Sequence, residues 1–379
     1  MTAAAHRSNV VLYGHRLQDP SATGISRYTR QLIAALARRP DSSLAYTMAG
    51  SGERRGPEGL PAELPYRHPP GPRRLLHTAW SATSHPTVDR FVGHPDLVHV
   101  LYPSTPVPSR APIIYTIHDL IPLRHPEWFA RYERWAFTRA VTDAAGRAAA
   151  VIAVSVAVAD QVKGWLGIAS ERVHVVHLGV APDLFIPPTP EEVASVCSRH
   201  GVQPGGYLLV LGAVSTRKNL TPVINALAAT RSPSTVPLLA VGPPAIGATD
   251  VIDLIARRGL GERVRLTGWL PSSDVRSLLG GARALLHPSL DEGFGMTPLE
   301  AMACGVPTAV SDASLPEVVG DSAILVGNDP QSWAVAIDGL IGDEQLRSRL
   351  IERGRRRAAD FTWDRTAEAT TTVYRSVLT

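Results

Sequence analysis

The chain has little of several features that would place it quickly. Cysteine is scarce: Cys197 and Cys304 are the two in 379 residues, with no spacing that suggests a disulfide framework or a zinc site. No D-x-D or H-E-x-x-H pattern occurs, so the sequence calls for no metal, and no organic cofactor is expected either. No G-x-G-x-x-G follows the first predicted strand, which argues against a nicotinamide-dependent dehydrogenase. The longest apolar run, Ala148 to Ala159, has 12 residues, short of the roughly 20 that a bilayer-crossing helix needs. The opening MTAAAHRSNVVLYG lacks the apolar centre of a signal peptide, so a cytoplasmic protein is expected. An excess of one charge is also missing. The net charge is +4, too small and too scattered to point to nucleic acid. No repeat of 20–50 residues is visible.

What is present is an ordinary globular composition, 44% hydrophobic and 19% charged, in a chain long enough for two or three domains. Short apolar runs alternate with helix-length segments. Strands are predicted over 9–14, 44–50, 97–102, 112–118, 150–155 and 173–178. A proline-rich break, GVAPDLFIPPTPEE, follows. Strands then resume at 207–213, 236–242, 263–267, 282–287, 307–311 and 322–327. Continuously apolar strands alternating with helices predict parallel sheets covered on both faces. Two such series predict two doubly wound α/β domains.

Parallel sheets of this kind bind ligands at the carboxyl ends of their strands. Several unusual residues fall there. His118 and Asp119 end PIIYTIHDL, Arg217-Lys218-Asn219 follows YLLVLGA, and Glu292 follows ARALLHPS. Gly24 opens a helix after the first strand. An interdomain cleft is the expected place for chemistry. Glu292 lies in a loop beside Gly293 and Gly295, which free the backbone for close approach to a ligand. Thr297-Pro298-Leu299-Glu300 reads as a helix start, with Thr297 as cap and Glu300 closing a capping box. Loop amides and two carboxylates suit a polyhydroxylated anion. Arg217 and Lys218, beside a predicted helix start, suit a diphosphate; a solvated basic pair is the plain alternative. For His118 the alternative is a buried, satisfied histidine, and for Gly24 a simple helix-entry glycine. Asp119 reads as structural, and His174 and His177 do not read as ligands. The segment HPEWFARYERWAFTRA mixes arginines with aromatics. It suits a membrane surface or an anionic acceptor, but packing of its aromatics into the domain is the favoured reading. PRRLLHTAW invites the same pair of readings. RSRLIERGRRRAADF reads as a solvated helix face.

EGFGMTPLEAMACGVPTAVSD resembles the donor-binding signature of the retaining GT-B glycosyltransferases of family GT4. TGISRYTRQL, YTIHDLIPLRHPEWF, VHVVHLGVAPDLF, LGAVSTRKNL, VRLTGWLPSSDV and FTWDRTAEATTTVYRSVL resemble further blocks in the family's order. The resemblance implies a GT-B architecture of two Rossmann-like doubly wound domains facing across a cleft. An acceptor-side domain would span 1–185, joined by the C-terminal helix 362–379, and a donor-binding domain would span 186–361. It implies transfer of a hexosyl unit, mannosyl first among the candidates, from a nucleotide diphosphate sugar to a hydroxyl of a glycan, lipid-linked glycan or small molecule, without a metal. Glu292 would hold hydroxyls of the transferred sugar and Glu300 the ribose. The amides of Gly293, Phe294, Gly295, Met296 and Thr297 would face sugar and phosphates, and Arg217 and Lys218 would neutralise the diphosphate. His118 would meet the sugar or the reacting centre, and Gly24 would line the floor. The base would sit near Gly242-Pro243 and Trp269-Leu270. Two departures stand out. Ala213 occupies the place where many relatives carry an arginine, so that Arg217 is left to supply the charge. Gly24-Ile25-Ser26 replaces a double glycine. Three readings stay open: the transferase, a GT-B-like sugar-nucleotide epimerase or phosphorylase, and a non-catalytic nucleotide-sugar-binding protein. A peripheral membrane contact at the cytoplasmic face also stays open, and the sequence sets no oligomeric state.

Overall fold

The computed structural model describes residues 7–14, 24–39, 41, 43–50, 61, 64–69, 71–229, 236–312 and 316–379. The chain divides into two compact units, Met1–Gly179 with Trp363–Thr379, and Val180–Thr362.

The first unit holds β1 (Ser8–Tyr13), β2 (Leu44–Ala49), β3 (Tyr66–Arg67), β4 (Leu97–Val100), β5 (Ile113–Ile117), β6 (Ala148–Ala153) and β7 (Val173–Val175). They form one sheet in the order β3-β2-β1-β4-β5-β6-β7, and every pairing is parallel. The second unit holds β8 (Leu208–Leu211), β9 (Leu238–Val241), β10 (Val264–Gly268), β11 (Ala284–His287), β12 (Thr308–Ser311) and β13 (Ile324–Val326). Its order is β10-β9-β8-β11-β12-β13, again all parallel. Each sheet is thus a doubly wound α/β sheet, as the sequence pattern predicted. The predicted strands all form; β3, two residues long, was not among them.

The apolar runs explain the burial. Every residue of β8, β9, β11 and β12 is buried, because helices cover both faces. On one face Leu208, Leu238 and Leu286 pack with Trp333 and Ile337; on the other Leu209, Leu239 and Leu285 pack with Leu278 and Ala301. Local signals fix the helix starts. Ser155, Asp329 and Asp343 accept from backbone amides at N-caps, and Thr189 with Glu192 forms a capping box ahead of Pro190–Arg199. The last helix, Trp363–Leu378, is tied into the first unit. Tyr374 pairs with buried His99 at 2.6 Å, Thr366 donates to the His177 carbonyl at 2.8 Å, and Arg375 reaches Asp41 at 2.6 Å.

Strand order places the site. In each sheet the order reverses beside its first strand, between β1 and β4 and between β8 and β11, and ligands of such sheets sit at that switch point. Arg217 and Lys218 follow β8, and Glu292 follows β11.

Candidate active site

The loops after β8 and β11 meet through their charges. Glu292 lies between two cations: Lys218 Nζ is 2.6 Å from Oε1 and Arg217 Nη1 is 2.9 Å from Oε2. The backbones join as well, since the Leu290 amide donates to the Arg217 carbonyl at 3.0 Å. Arg217 Nη1 also donates to the Asp291 carbonyl at 3.4 Å. The solvated-pair reading of these cations therefore fails for Lys218, which is only 6% exposed. Burial lowers the Lys218 pKa, and Glu292 opposes that shift. Burial alone would raise Glu292, but Lys218 and Arg217 outweigh it and hold the carboxyl well below its usual range.

Two glycines allow this arrangement. A Cβ on Gly212, directly after β8, would lie 2.7 Å from Lys218 Cε, so the lysine stem crosses where any side chain would stand. A Cβ on Gly242, after β9, would lie 2.1 Å from the Gly212 carbonyl oxygen. The Gly242 amide donates to the Gly268 carbonyl at 2.9 Å, which sets Gly242-Pro243 beside the turn that carries Trp269 and Leu270. Trp269 is 51% exposed, a flat apolar surface at the strand ends. Gly242, Gly212, Lys218 and Glu292 thus form a continuous run along the carboxyl ends of β9, β8 and β11.

Beyond Glu292 the loop differs from its predicted form. Helix Met296–Ala303 begins two residues earlier than Thr297 as cap would require: its N-cap is Gly295, with φ of 83° and no capping side chain. Thr297 and Pro298 lie inside the helix, and Glu300, at the fifth helical position, closes no capping box. The cause is Gly295, whose left-handed backbone turns the chain into the helix. Glu300 is buried, at 8% exposure. Phe294 turns its ring inward, edge to face with Phe361 at 5.8 Å, so only its backbone could serve a ligand.

In the first unit His118 follows β5 and is half-buried. Its Nε2 pairs with the Leu101 carbonyl at 3.0 Å, and its ring meets the edge of Tyr28 at 4.6 Å. Burial pushes its pKa down to about 4, so the ring is neutral at pH 7. Asp119 accepts from the Ile121 amide at 3.1 Å, a turn-forming bond. Gly24 is the exposed first residue of helix Gly24–Arg38. The favoured packing of aromatics in helix Arg131–Arg147 holds for Phe137 and fails for two others: Tyr132 is 75% and Trp135 54% exposed, with Arg139 over the Trp135 ring at 5.8 Å. In PRRLLHTAW, Trp80 is buried and Leu75 exposed. The arginine-rich helix Glu344–Ala359 is not wholly solvated either, because Arg357 donates to the Val318 and Glu317 carbonyls at 2.9 and 2.7 Å.

One residue near the cluster had not been singled out. His287, the last residue of β11, is 2% exposed and lies 3.4 Å from Glu292 Oε1. Its signal was a lone histidine at the carboxyl end of a central strand, where the ligand rule applies. Among the described residues, no group of three or more His, Cys, Asp or Glu could hold a metal, and no helix is long and apolar enough to cross a membrane.

The family model described as glycosyl transferases group 1 matches residues 202–357, and that of glycosyltransferase family 4 matches residues 22–184. O-antigen chain mannosyltransferase B of Escherichia coli is 28% identical over 267 residues, covering 69% of this chain and 70% of that protein. The serotype-specific mannosyltransferase WbdA of Escherichia coli is 30% identical over 285 residues, 73% of this chain, but this chain spans only 35% of WbdA. The crystal structure of Anabaena HepE in complex with UDP and glucose aligns with a TM-score of 0.71 and 19% identity, over 98% of this chain and all of that one. At that identity the likeness is one of fold, two Rossmann-like α/β units of GT-B type.

Proposed function

Because the chain belongs to glycosyltransferase family 4, and is a glycosyltransferase, we propose that it moves a mannosyl unit from a nucleoside diphosphate sugar to a hydroxyl of a glycan or lipid-linked glycan, with retention at the anomeric carbon. The observation that carries this reading is the pairing of Glu292 with both Lys218 and Arg217 at the β8/β11 switch point. The mannosyltransferases similar to this chain support the choice of sugar.

The chemistry follows from the charges. Breaking the bond between C1 and the phosphate oxygen leaves negative charge on the diphosphate, which Lys218 and Arg217 stabilise at short range in a largely water-free setting. Positive charge grows on the sugar ring, and the Glu292 carboxylate favours it while accepting from sugar hydroxyls. The acceptor oxygen bonds to C1 on the face that the phosphate leaves, and the leaving phosphate takes the acceptor's proton. No metal enters this scheme. Glu300 accepts from the ribose hydroxyls, and the backbone of Gly293–Thr297 faces sugar and phosphates. The turns at Gly242-Pro243 and Trp269-Leu270 receive the base. In the first unit, His118 and Gly24 are the candidates for contact with the sugar and the acceptor. The exposed Tyr132 and Trp135, on a helix that also carries Arg131, Arg134 and Arg139, supply a face for peripheral contact with an anionic membrane surface.

Incubation of the protein with GDP-mannose, and in parallel with UDP-glucose, tests the assignment. Release of the nucleoside diphosphate that rises when a hydroxyl acceptor is added, with an α-linked product, is expected. A rearranged sugar nucleotide formed without acceptor would mark an epimerase instead, and no turnover of either donor would count against the proposal.

A further inference from the structure

Glu292 has three side-chain neighbours of different origin. Lys218 and Arg217 come from the loop after β8, at 2.6 and 2.9 Å. His287 comes from β11 itself, a central strand held between β8 and β12, and its Nε2 lies 3.4 Å from Oε1, the same oxygen that Lys218 holds. Among the described residues this Nε2 is buried without a hydrogen-bond partner. A polar nitrogen placed so is unfavourable unless some state of the protein uses it. Burial, then the Lys218 charge, push the His287 pKa down to about 4. At neutral pH the ring can therefore donate one N–H toward Glu292 without adding charge.

The pairing seen at Glu292 cannot persist unchanged once a diphosphate binds. The two cations would turn toward the phosphates, and a carboxylate largely shielded from water would lose its strongest donors. Sugar hydroxyls can replace them from the ligand side. From the protein side, the group already aimed at Oε1 and fixed to the sheet is His287.

We propose that His287 is a positioning residue for Glu292, whose Nε2–H takes over the carboxylate oxygen when a donor diphosphate draws Lys218 away. The inference rests on the donor site proposed above. It goes beyond that reading by giving a role to a histidine outside the donor contacts, and by predicting that this role is called on when the diphosphate takes the cations.

The test uses the full chain as wild type, His287→Leu, His287→Asn and His287→Gln. Calorimetry measures the affinity for free GDP and UDP, and steady-state kinetics measure transfer from GDP-mannose and UDP-glucose. Affinity for the free diphosphates should fall by roughly tenfold in His287→Leu and recover in His287→Gln, because a free diphosphate draws Lys218 away without supplying sugar hydroxyls to Glu292. Transfer in His287→Leu should fall by roughly ten- to a hundredfold in kcat/KM, the effect of an unsatisfied buried charged group. His287→Gln, whose amide nitrogen reaches to the place of Nε2, should recover most of that loss, and His287→Asn, whose amide stops short, should not. If His287→Leu does not fold, the Gln and Asn variants carry the same contrast. Wild-type transfer in His287→Leu, or a Gln variant no better than Asn, would overturn the inference. Failure of the wild type to bind any of the diphosphates or their sugars would instead overturn the donor site itself.

Discussion

The two units bury polar groups in opposite ways. In the first, His99 pairs with Tyr374 at 2.6 Å and with Thr116 at 2.7 Å, and Thr116 pairs with Tyr28 at 2.9 Å. The groups are uncharged: burial pushes His99 down to about 3 and raises Tyr28 and Tyr374. The network is closed on itself and fastens the last helix to the sheet. In the second unit the groups paired at the strand ends are ions, the buried Lys218 and the partly buried Glu292, and their partners can be exchanged for a ligand's. A satisfied neutral network specifies structure. A buried ion pair at a switch point is costly as structure alone and is better accounted for by function.

Mutation of the ionic cluster should have the largest effect. Glu292→Ala and Lys218→Ala are each expected to lower kcat by a factor on the order of 100–1,000, comparable to removal of one charge-stabilising donor, in an assay of nucleoside diphosphate release. Because Glu292→Ala leaves the buried Lys218 charge without its carboxylate, a stability loss of about 3–5 kcal/mol should accompany it, and a smaller one Lys218→Ala, where Arg217 still pairs with Glu292. Denaturant titration measures that part separately, and the activity should be read below the unfolding transition.

Acid should next weaken both units together. His99 and His287 are held near pH 3 and 4, below the ordinary 6.5. The unfolded chain therefore takes up protons below pH 6.5 that the folded chain refuses until far lower. Stability is full above pH 6.5 and falls as pH drops toward 4, by up to about 3 kcal/mol for each histidine. Glu292 acts in the same direction at lower pH, its contribution present above 4.5 and lost as pH falls through its depressed folded value. Unfolding free energies measured from pH 7 to 4 should show this decline, and His99→Gln should flatten part of it.

A smaller effect separates the two kinds of burial. Tyr374→Phe removes one partner of His99 and should cost about 1–3 kcal/mol of stability. Transfer activity at 25 °C should be retained, in contrast to any change at Glu292. The smallest effect should come from Tyr132→Ser combined with Trp135→Ser. Transfer to a soluble acceptor should be unaffected, while cosedimentation with phosphatidylglycerol vesicles weakens.

Most of the fold was legible because it rests on short-range signals. Runs such as LLVL and LLAV can be satisfied only between two covered faces, and the alternation with helices fixed the parallel class. The two-residue β3 was too short to leave a pattern. Glu292, Lys218 and Arg217 were legible from their place after strands, but the burial of Lys218 was not. In STRKN it looks like a solvated loop, and what encloses it is Gly212, just after β8, and Glu292, 74 positions later. Gly295 misled the helix start, because Thr297-Pro298 carries a cap signal that the glycine turn pre-empts. His287 was hidden by its setting, since an apolar strand makes a histidine read as filler. Tyr132 and Trp135 share one helix face with Arg139, and the sequence did not show that this face, rather than that of Phe137, is turned to solvent.

If the proposed function holds, Lys218, Arg217 and Glu292 grip a nucleoside diphosphate sugar. Thermal unfolding of wild type and Lys218→Met with increasing GDP-mannose and UDP-glucose tests it most directly. A donor present at about 100 times its dissociation constant should stabilise the wild type by about 2.7 kcal/mol, and the variant should need far more donor for the same shift. Equal stabilisation of both proteins by the same donor concentration, or no stabilisation of the wild type by either donor, would contradict the account.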